Sequence, residues 1–385
     1  MKASIIRQYK AIFQCEPIVT RAPGRINLIG EHTDYNEGYV LPAAIDKYIY
    51  TATGANDHNT IDLYAVYYKE RITISVNELR ARPNHWSNYV LGVVDQLRQR
   101  DHAITGFNLV IDGDLPAGAG LSSSAAFSCA VCTALNELFH LDLSPEDIID
   151  IAQKAEHKFA GVQCGIMDMY TSVHGEKDHA LLLDCRTHTH KNIPLDLDGC
   201  KFVLLNTNVK HHLASTAYNL RRQECAHGVS LIQRHVPKVR SLRDVTKDLL
   251  IEYVHDPLIH QRCRFVIEEN ERVRAAADHL RKGHLREFGQ ELFRSHEGLT
   301  HDYDVSCAEL DWLVASVRNK REVLGARMMG GGFGGCTINL VRAGGLDRMI
   351  EELTETYERF MGLTLTAYVA DTADGAAVMS TGVLV

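Results

Sequence analysis

The sequence predicts an α+β fold in two domains, and three observations carry that prediction. Helix and strand signals alternate irregularly, without the regular βαβ winding of a doubly wound sheet. The 385 residues suffice for two or three domains at about 150 residues each. Composition shifts near residue 190, which divides the chain into domains 1–190 and 191–385. Hydrophobic residues make up 45% and charged residues 23%, ordinary globular usage that excludes a disordered or fibrous chain. The net charge of −8 gives no electrostatic reason to bind nucleic acid or an anionic membrane.

The elements follow in order. The first fifteen residues scatter Lys2, Arg7 and Lys10 and hold no apolar h-region, so no signal peptide is expected. Phe107, Leu109 and Ile111 alternate with Asn108, Val110 and Asp112, a strand pattern. A loop over 114–120 leads into a helix over 121–139. Its stretch from Leu121 to Leu135 carries no charge but is too short to span a membrane, and reads as a buried helix. Ser144-Pro145-Glu146-Asp147 combines a serine N-cap, proline at N1 and acid in the first turn. That helix should run to Phe159 and stop at Gly161. Residues 180–184 and 202–206 read as buried strands. The pattern then turns helical from 241 to 320, with 265–281 and 285–296 joined as a hairpin at Gly283. Ser306 and Glu309 have capping-box spacing for a helix through Val317. Residues 326–329 and 337–341 read as strands around a glycine cluster. The ten cysteines form no small-domain framework and are expected as reduced thiols of a cytoplasmic protein. Cys129 and Cys132 have CxxC spacing but sit in a buried helix, where they read as small core residues. His188 with His190, and His211 with His212, read as solvated loop residues rather than metal tracts.

Three glycine-rich segments hold the candidate chemistry. Pro116-Ala117-Gly118-Ala119-Gly120-Leu121-Ser122-Ser123-Ser124 follows a strand and opens a helix. Glycine lets backbone N–H groups approach an anion, the helix start adds unpaired donors, and the serine hydroxyls can bond phosphate or metal. No Gly-Lys-Ser/Thr follows, so this is not a Walker A loop. A tight strand–helix turn with serine caps is the alternative. Gly330 to Gly335 matches G-x-G-x-x-G, but strands flank it on both sides, which excludes a Rossmann fingerprint and leaves a glycine-rich hairpin loop. Arg21 to Asn36 crowds Arg25, Glu31, His32 and Asp34 beside the run Ile26-Asn27-Leu28-Ile29. Two carboxylates and an imidazole suit a polyhydroxylated ligand, since each carboxylate accepts several hydroxyl bonds. A metal held by Glu31, His32 and Asp34 would lack an i, i+4 helical ligand pair, and solvated loop charges are a further alternative. Asp168 lies among Ile166, Met167 and Met169. Glu156 shares a helix face with Ile149, Ala152 and Phe159. A buried carboxylate is costly without a cation or arginine opposite it.

Together the three segments resemble the signature motifs of the GHMP small-molecule kinases, and the segment from Arg21 to Asn36 resembles that of the galactokinase family within them. Trp86-Ser87-Asn88-Tyr89, Gly165-Ile166-Met167-Asp168, Leu182 to Arg186 and Leu213 to Tyr218 extend the resemblance over nearly the whole chain. The resemblance implies a two-domain fold with the active site in the cleft between domains. It also implies ATP-dependent phosphorylation of galactose at the C1 hydroxyl, the first phosphorylation of galactose catabolism by the Leloir pathway. It casts Asp168 as the catalytic carboxylate and Arg25 as its cationic neighbour. Glu31, His32, Asp34, Gly165 and Tyr218 would contact the sugar. Pro116, Gly118, Gly120, Leu121, Ser122, Ser123 and Ser124 would hold the ATP phosphates, with Trp86 by the adenine. Ser124 and Glu156 would hold Mg2+. The partners implied are small molecules, and the chain is expected as a monomer or weak oligomer. A kinase for N-acetylgalactosamine or L-arabinose, and a galactose sensor without turnover, remain alternatives. The intact Ser124-Ala125-Ala126 with Arg25 and Asp168 argues against the sensor. Met169 and Met329 stand where the family usually has Gln and Thr, which bears on neighbouring hydrogen bonds and on the sugar accepted.

Overall fold

A computed structural model describes residues 1–116, 119–209 and 214–379. Three sheets organise the chain. The largest has six strands in the order Ala377–Met379, Ile18–Asn27, Pro42–Ala55, Phe107–Gly113, Thr60–Ala65 and Glu70–Ser75. Only the Thr60–Ala65 and Phe107–Gly113 pairing within it is parallel. The last described strand therefore returns to the first sheet. A four-stranded antiparallel sheet runs Val323–Met329, Cys336–Arg342, Cys200–Asn206 and Thr366–Ala370. A small third sheet joins Tyr39–Val40, His179–Asp184 and Thr189–Pro194.

Strand 107–113 departs from simple alternation. Val110 is fully buried, packed with Ile5 and Tyr9 of a helix over Lys2–Phe13. That helix, which the scattered N-terminal pattern does not announce, covers the second face of the sheet. Helix Ser123–Phe139 lies against the other face. It starts two residues later than expected because Ser122 is left-handed (φ 58°). Cys129 and Cys132 are buried, unpaired core residues. Helix Pro145–Ala155 carries the expected cap: Ser144 Oγ accepts from the Asp147 N–H, and the Asp147 carboxylate accepts from the Ser144 N–H. It passes into one π turn, Glu156–Ala160, and ends at left-handed Gly161. The long hairpin is formed by Pro257–Arg281 and Leu285–Glu297, with Gly283 at φ +70°.

Two expectations are corrected. Ser306 and Glu309 do not form a capping box. Helix Ala308–Val317 has Cys307 at its N-cap, and the Ser306 hydroxyl instead donates to Asp311, 2.5 Å away. His190 is not a solvated loop residue. It lies in strand 189–194 with Nδ1 2.8 Å from the Tyr170 hydroxyl. Its neighbour His188 is exposed, and His211 and His212 lie outside the described residues.

One apolar cluster joins the two large sheets. Ile26, Leu28, Leu41 and Leu121 from the N-terminal half meet Phe202, Leu204, Ile338 and Leu340 from the C-terminal half, and all are essentially unexposed. Continuous packing of this kind transmits position rather than slack, so groups from both halves can be held in fixed relation at its edge.

Candidate active site

At that edge lies a cavity of about 200 Å³, lined by Arg25, Glu31, His32, Asp34, Gly165, Asp168 and Tyr218. Seven residues expected together from the sequence, spread over almost two hundred positions, thus share one space. Gly330 and Gly331 of the third glycine segment close it.

Local backbone features aim each group. A register shift between Pro23 and Arg25 interrupts the pairing of strand 18–27, and such bulges redirect side chains. Arg25 points inward there and its N–H donates to the Leu121 carbonyl at 3.1 Å. Its guanidinium donates to Asp168 (Nε–Oδ1, 2.8 Å) and to the Gly120 carbonyl (2.6 Å). Asp168 sits in the first turn of helix Met167–His174, where the helix dipole favours negative charge. Its second oxygen accepts from the Ser122 hydroxyl at 2.6 Å. The left-handed Ser122 therefore links the second motif to the carboxylate. Burial alone would lower the Arg25 pKa, yet it is raised, because the charges of Asp168, Glu31 and Asp34 hold the proton on.

Glu31 accepts from the Gly330 N–H (2.8 Å) and from Arg327 (3.1 Å). Arg327 is completely buried. It spans the two halves by also donating to the carbonyls of Asn27 (2.5 Å), Leu28 (2.7 Å) and Met328 (2.6 Å). Sequence reasoning missed it, although an arginine inside the apolar strand Val-Leu-Gly-Ala-Arg-Met-Met was a signal. Asp34 is pushed up to about 7, chiefly by burial and then by the Asp168 charge. Gly165 is required beside it: a Cβ there would stand 1.8 Å from Asp34 Oδ2. His32 is pushed down to about 3 by burial and is a neutral imidazole.

A second cavity, of about 600 Å³, is lined by Trp86, Tyr68, Tyr89, Phe127, Pro116, Ser123 and Ser124. The Trp86 indole donates to Glu70 at 2.6 Å and lies nearly parallel to Tyr68 (12°, centroids 6.5 Å apart). Tyr68 and Phe127 were not foreseen. The adjacent Tyr67-Tyr68 pair, both exposed, was the available signal for Tyr68; Phe127 had none. The Gly120–Ser124 turn separates the two cavities, with Ser122 on one side and Ser123 and Ser124 on the other. Gly118 lies outside the described residues. Leu121 buries its side chain in the core and takes no place in the cavity lining. Met169 and Met329 are likewise buried in apolar clusters, and neither lines the smaller cavity.

Glu156 is brought to the site by the π turn. Burial, then the Asp168 charge, pushes it up to about 8 against the opposing effect of the nearby Ser124 hydroxyl, and the Cys164 thiol lies 3.8 Å from its Oε2. Its Oε1 is buried with no partner. An orphaned carboxylate oxygen beside a serine hydroxyl fits a magnesium ion. Such ions are commonly held by one or two carboxylates with substrate phosphates and waters completing the shell. Among the described residues no three His, Cys, Asp or Glu converge as a protein-built metal cage.

This pairing of a small polar cavity with an aromatic one across a serine-rich turn defines a small-molecule kinase site, and comparison with known proteins agrees. Residues 88–176 match the GHMP kinases N terminal domain and 276–359 the GHMP kinases C terminal domain. The galactokinase galactose-binding signature matches residues 7–55. The chain is 40% identical over 356 residues to galactokinase of Thermotoga petrophila, covering 92% of this chain and 98% of that one. It is 39% identical over 361 residues to galactokinase of Roseiflexus sp., covering 93% and 92%. The structure of Lactococcus lactis galactokinase complexed with galactose superposes with a TM-score of 0.94 at 32% identity, covering 98% of this chain and all of that one. Methanococcus jannaschii mevalonate kinase, at 18% identity and a TM-score of 0.67, shares the fold. The fold is that of the GHMP kinases, with N- and C-terminal domains. Within them, the chain belongs to the galactokinase family.

Proposed function

We propose that this protein transfers the γ-phosphoryl group of ATP to the C1 hydroxyl of galactose, giving galactose 1-phosphate and ADP. The observation that carries the reading is the Asp168 carboxylate, held on one oxygen by Arg25 and on the other by Ser122, between a polar cavity and an aromatic one. Galactose occupies the smaller cavity. Glu31 and Asp34 accept hydrogen bonds from its hydroxyls, and His32 and Tyr218 complete the polar wall. Asp168 takes the proton of the C1 hydroxyl as that oxygen bonds to the γ-phosphorus and the bond to the β-phosphate oxygen breaks. Phosphoryl transfer demands alignment and charge neutralisation more than covalent help. Arg25 contributes the positive charge from the protein, since no lysine occurs in the three glycine segments. ATP lies in the larger cavity with its base against Trp86, and Gly118, Gly120 and Ser122 to Ser124 would hold its phosphates. Ser124 and Glu156 would hold Mg2+, which when bound neutralises phosphate charge. No described helix is long and apolar enough to cross a membrane, and we assign the enzyme to the cytoplasm as a monomer or weak oligomer.

The test is ADP release with Mg-ATP against galactose, glucose, N-acetylgalactosamine, L-arabinose and mevalonate. Turnover on galactose above the others is the expected result. Preference for another sugar would keep the kinase and change the substrate. Binding of galactose and ATP without turnover would make the protein a sensor.

A further inference from the structure

A chain of hydrogen bonds leads away from the small cavity into the C-terminal half, and His32 stands at its head. His32 Nδ1 is 2.7 Å from the Tyr35 hydroxyl, which is 2.8 Å from the Tyr303 hydroxyl, which is 3.2 Å from the Cys225 sulfur. Tyr303 and Cys225 are fully buried and neither lines the cavity. Tyr303 is held from three sides. Its N–H donates to the Gly298 carbonyl (2.8 Å), its carbonyl accepts from Arg221 (2.6 Å), and its ring packs on Phe265 with centroids 4.7 Å apart. Its hydroxyl is therefore a fixed point rather than a free rotor.

In such a chain each hydroxyl donates once and accepts once, so the sense at one end sets every link. A neutral imidazole nitrogen is the strongest acceptor in this chain and a thiol sulfur the weakest, so the chain is directed toward His32, with the Cys225 S–H on the Tyr303 oxygen. Tyr303 then donates to Tyr35, and Tyr35 donates to His32 Nδ1. Because a neutral imidazole carries one proton, that proton resides on Nε2. Nε2 is buried and has no well-aligned partner among the described residues. His32 lines the small cavity, so the proton on that nitrogen is left for a ligand there. The carboxylates of Glu31 and Asp34 offer the sugar only acceptors when ionised, so a defined donor at His32 complements them.

We propose that Tyr35 and Tyr303 are positioning residues that hold His32 as its Nε2–H tautomer, so that the ring presents a hydrogen-bond donor to a sugar hydroxyl oxygen. The proposal rests on the sugar-kinase reading of the site. It makes Tyr303, which does not line the cavity, a determinant of sugar affinity and not of ATP affinity.

The experiment uses Tyr303→Phe and Tyr35→Phe in the full chain, each of which deletes one hydroxyl and keeps the ring. Steady-state kinetics give KM for galactose and for ATP. The ¹⁵N shifts of the His32 ring, assigned by difference against His32→Gln, give the tautomer. The wild type should carry its ring proton on Nε2, and each variant should shift toward a mixture. Galactose KM should rise about 3- to 12-fold in each variant, the equivalent of one lost neutral hydrogen bond, with ATP KM within about twofold by the same reasoning. A wild-type proton on Nδ1 would overturn the proposal. So would an unchanged tautomer and galactose KM in both variants, or equal rises in both KM values. Absence of wild-type turnover on galactose would sink the kinase reading instead, and the tautomer measurement would still decide the role of the two tyrosines.

Discussion

Replacing Glu156 by Gln should make the protein without ligands more stable, and only at neutral to alkaline pH. Glu156 is buried, one of its oxygens has no partner, and burial and the Asp168 charge carry its pKa from the ordinary 4.5 to about 8. A carboxyl whose folded pKa is raised leaves stability intact below its unfolded value and removes it as pH rises toward the folded value. At ~1.4 kcal/mol per pH unit between the two values, the raised pKa of Glu156 costs under about 1 kcal/mol at pH 5, about 3 at pH 7 and about 5 at pH 8.5. Allowing half for relaxation and for the contacts of Ser124 and Cys164 that Gln keeps leaves about 2 kcal/mol gained at pH 8.5. An unfolding entropy near 2.1 cal/mol/K per residue makes that a Tm rise of about 2–3 °C for a chain of this length. Differential scanning fluorimetry of wild type and Glu156→Gln at pH 5 and pH 8.5 measures it. A second arm adds magnesium with a non-hydrolysable ATP analogue, which should stabilise wild type more than the variant if Glu156 holds the ion. Equal Tm differences at the two pH values, or a less stable variant at pH 8.5, would refute the electrostatic reasoning. Equal stabilisation by the magnesium nucleotide would refute the assignment of the ion.

Further outcomes follow from the same geometry. Asp168→Asn should lower kcat by ~10²–10⁴-fold, the usual cost of losing a general base, with an unchanged circular dichroism spectrum; near-wild-type turnover would remove Asp168 from that role. Because Asp34 is pushed up to about 7, kcat/KM for galactose should rise about tenfold between pH 6 and pH 8 as the better-accepting carboxylate forms. Asp34→Asn should flatten that profile and raise galactose KM far more than ATP KM. It should also remove the stability loss that Asp34 contributes as pH rises from about 4 toward 7. Gly165→Ala places a Cβ within 1.8 Å of the Asp34 carboxylate. The displaced acid should raise galactose KM by roughly tenfold or more, on the order of one charged hydrogen bond, and leave ATP KM alone. Equal effects on both substrates would show that Gly165 serves the fold instead.

Much of the fold was legible because its signals are local. The N-cap at Ser144, the stop at Gly161, the hairpin break at Gly283 and the strands around 330–335 depend on residues within one turn of each other. The missed helix at 2–13 has buried residues only at Ile5 and Tyr9, too few to stand out among its charged neighbours. The false capping box at Ser306 arose from the same rule: the spacing was right, but Asp311 offered its hydroxyl a partner one turn further on. His190 was misread because the partner that orders it, Tyr170, lies twenty residues back on another element.

The residue types of the site were set by the sequence alone. It placed an arginine, three acids, a histidine and a serine-rich turn where backbone geometry could offer them, and the resemblance of those segments to a kinase family assigned them roles. What the tertiary structure alone decided is how those groups are held. The bulge at Arg25, the left-handed Ser122 on Asp168, the buried Arg327 on Glu31 and the hydroxyl chain from Tyr303 to His32 join positions up to 300 residues apart. No local propensity encodes such pairs. They exist because burial removes water as a competing partner, and each polar group enclosed by the packed halves must then find its complement in the protein.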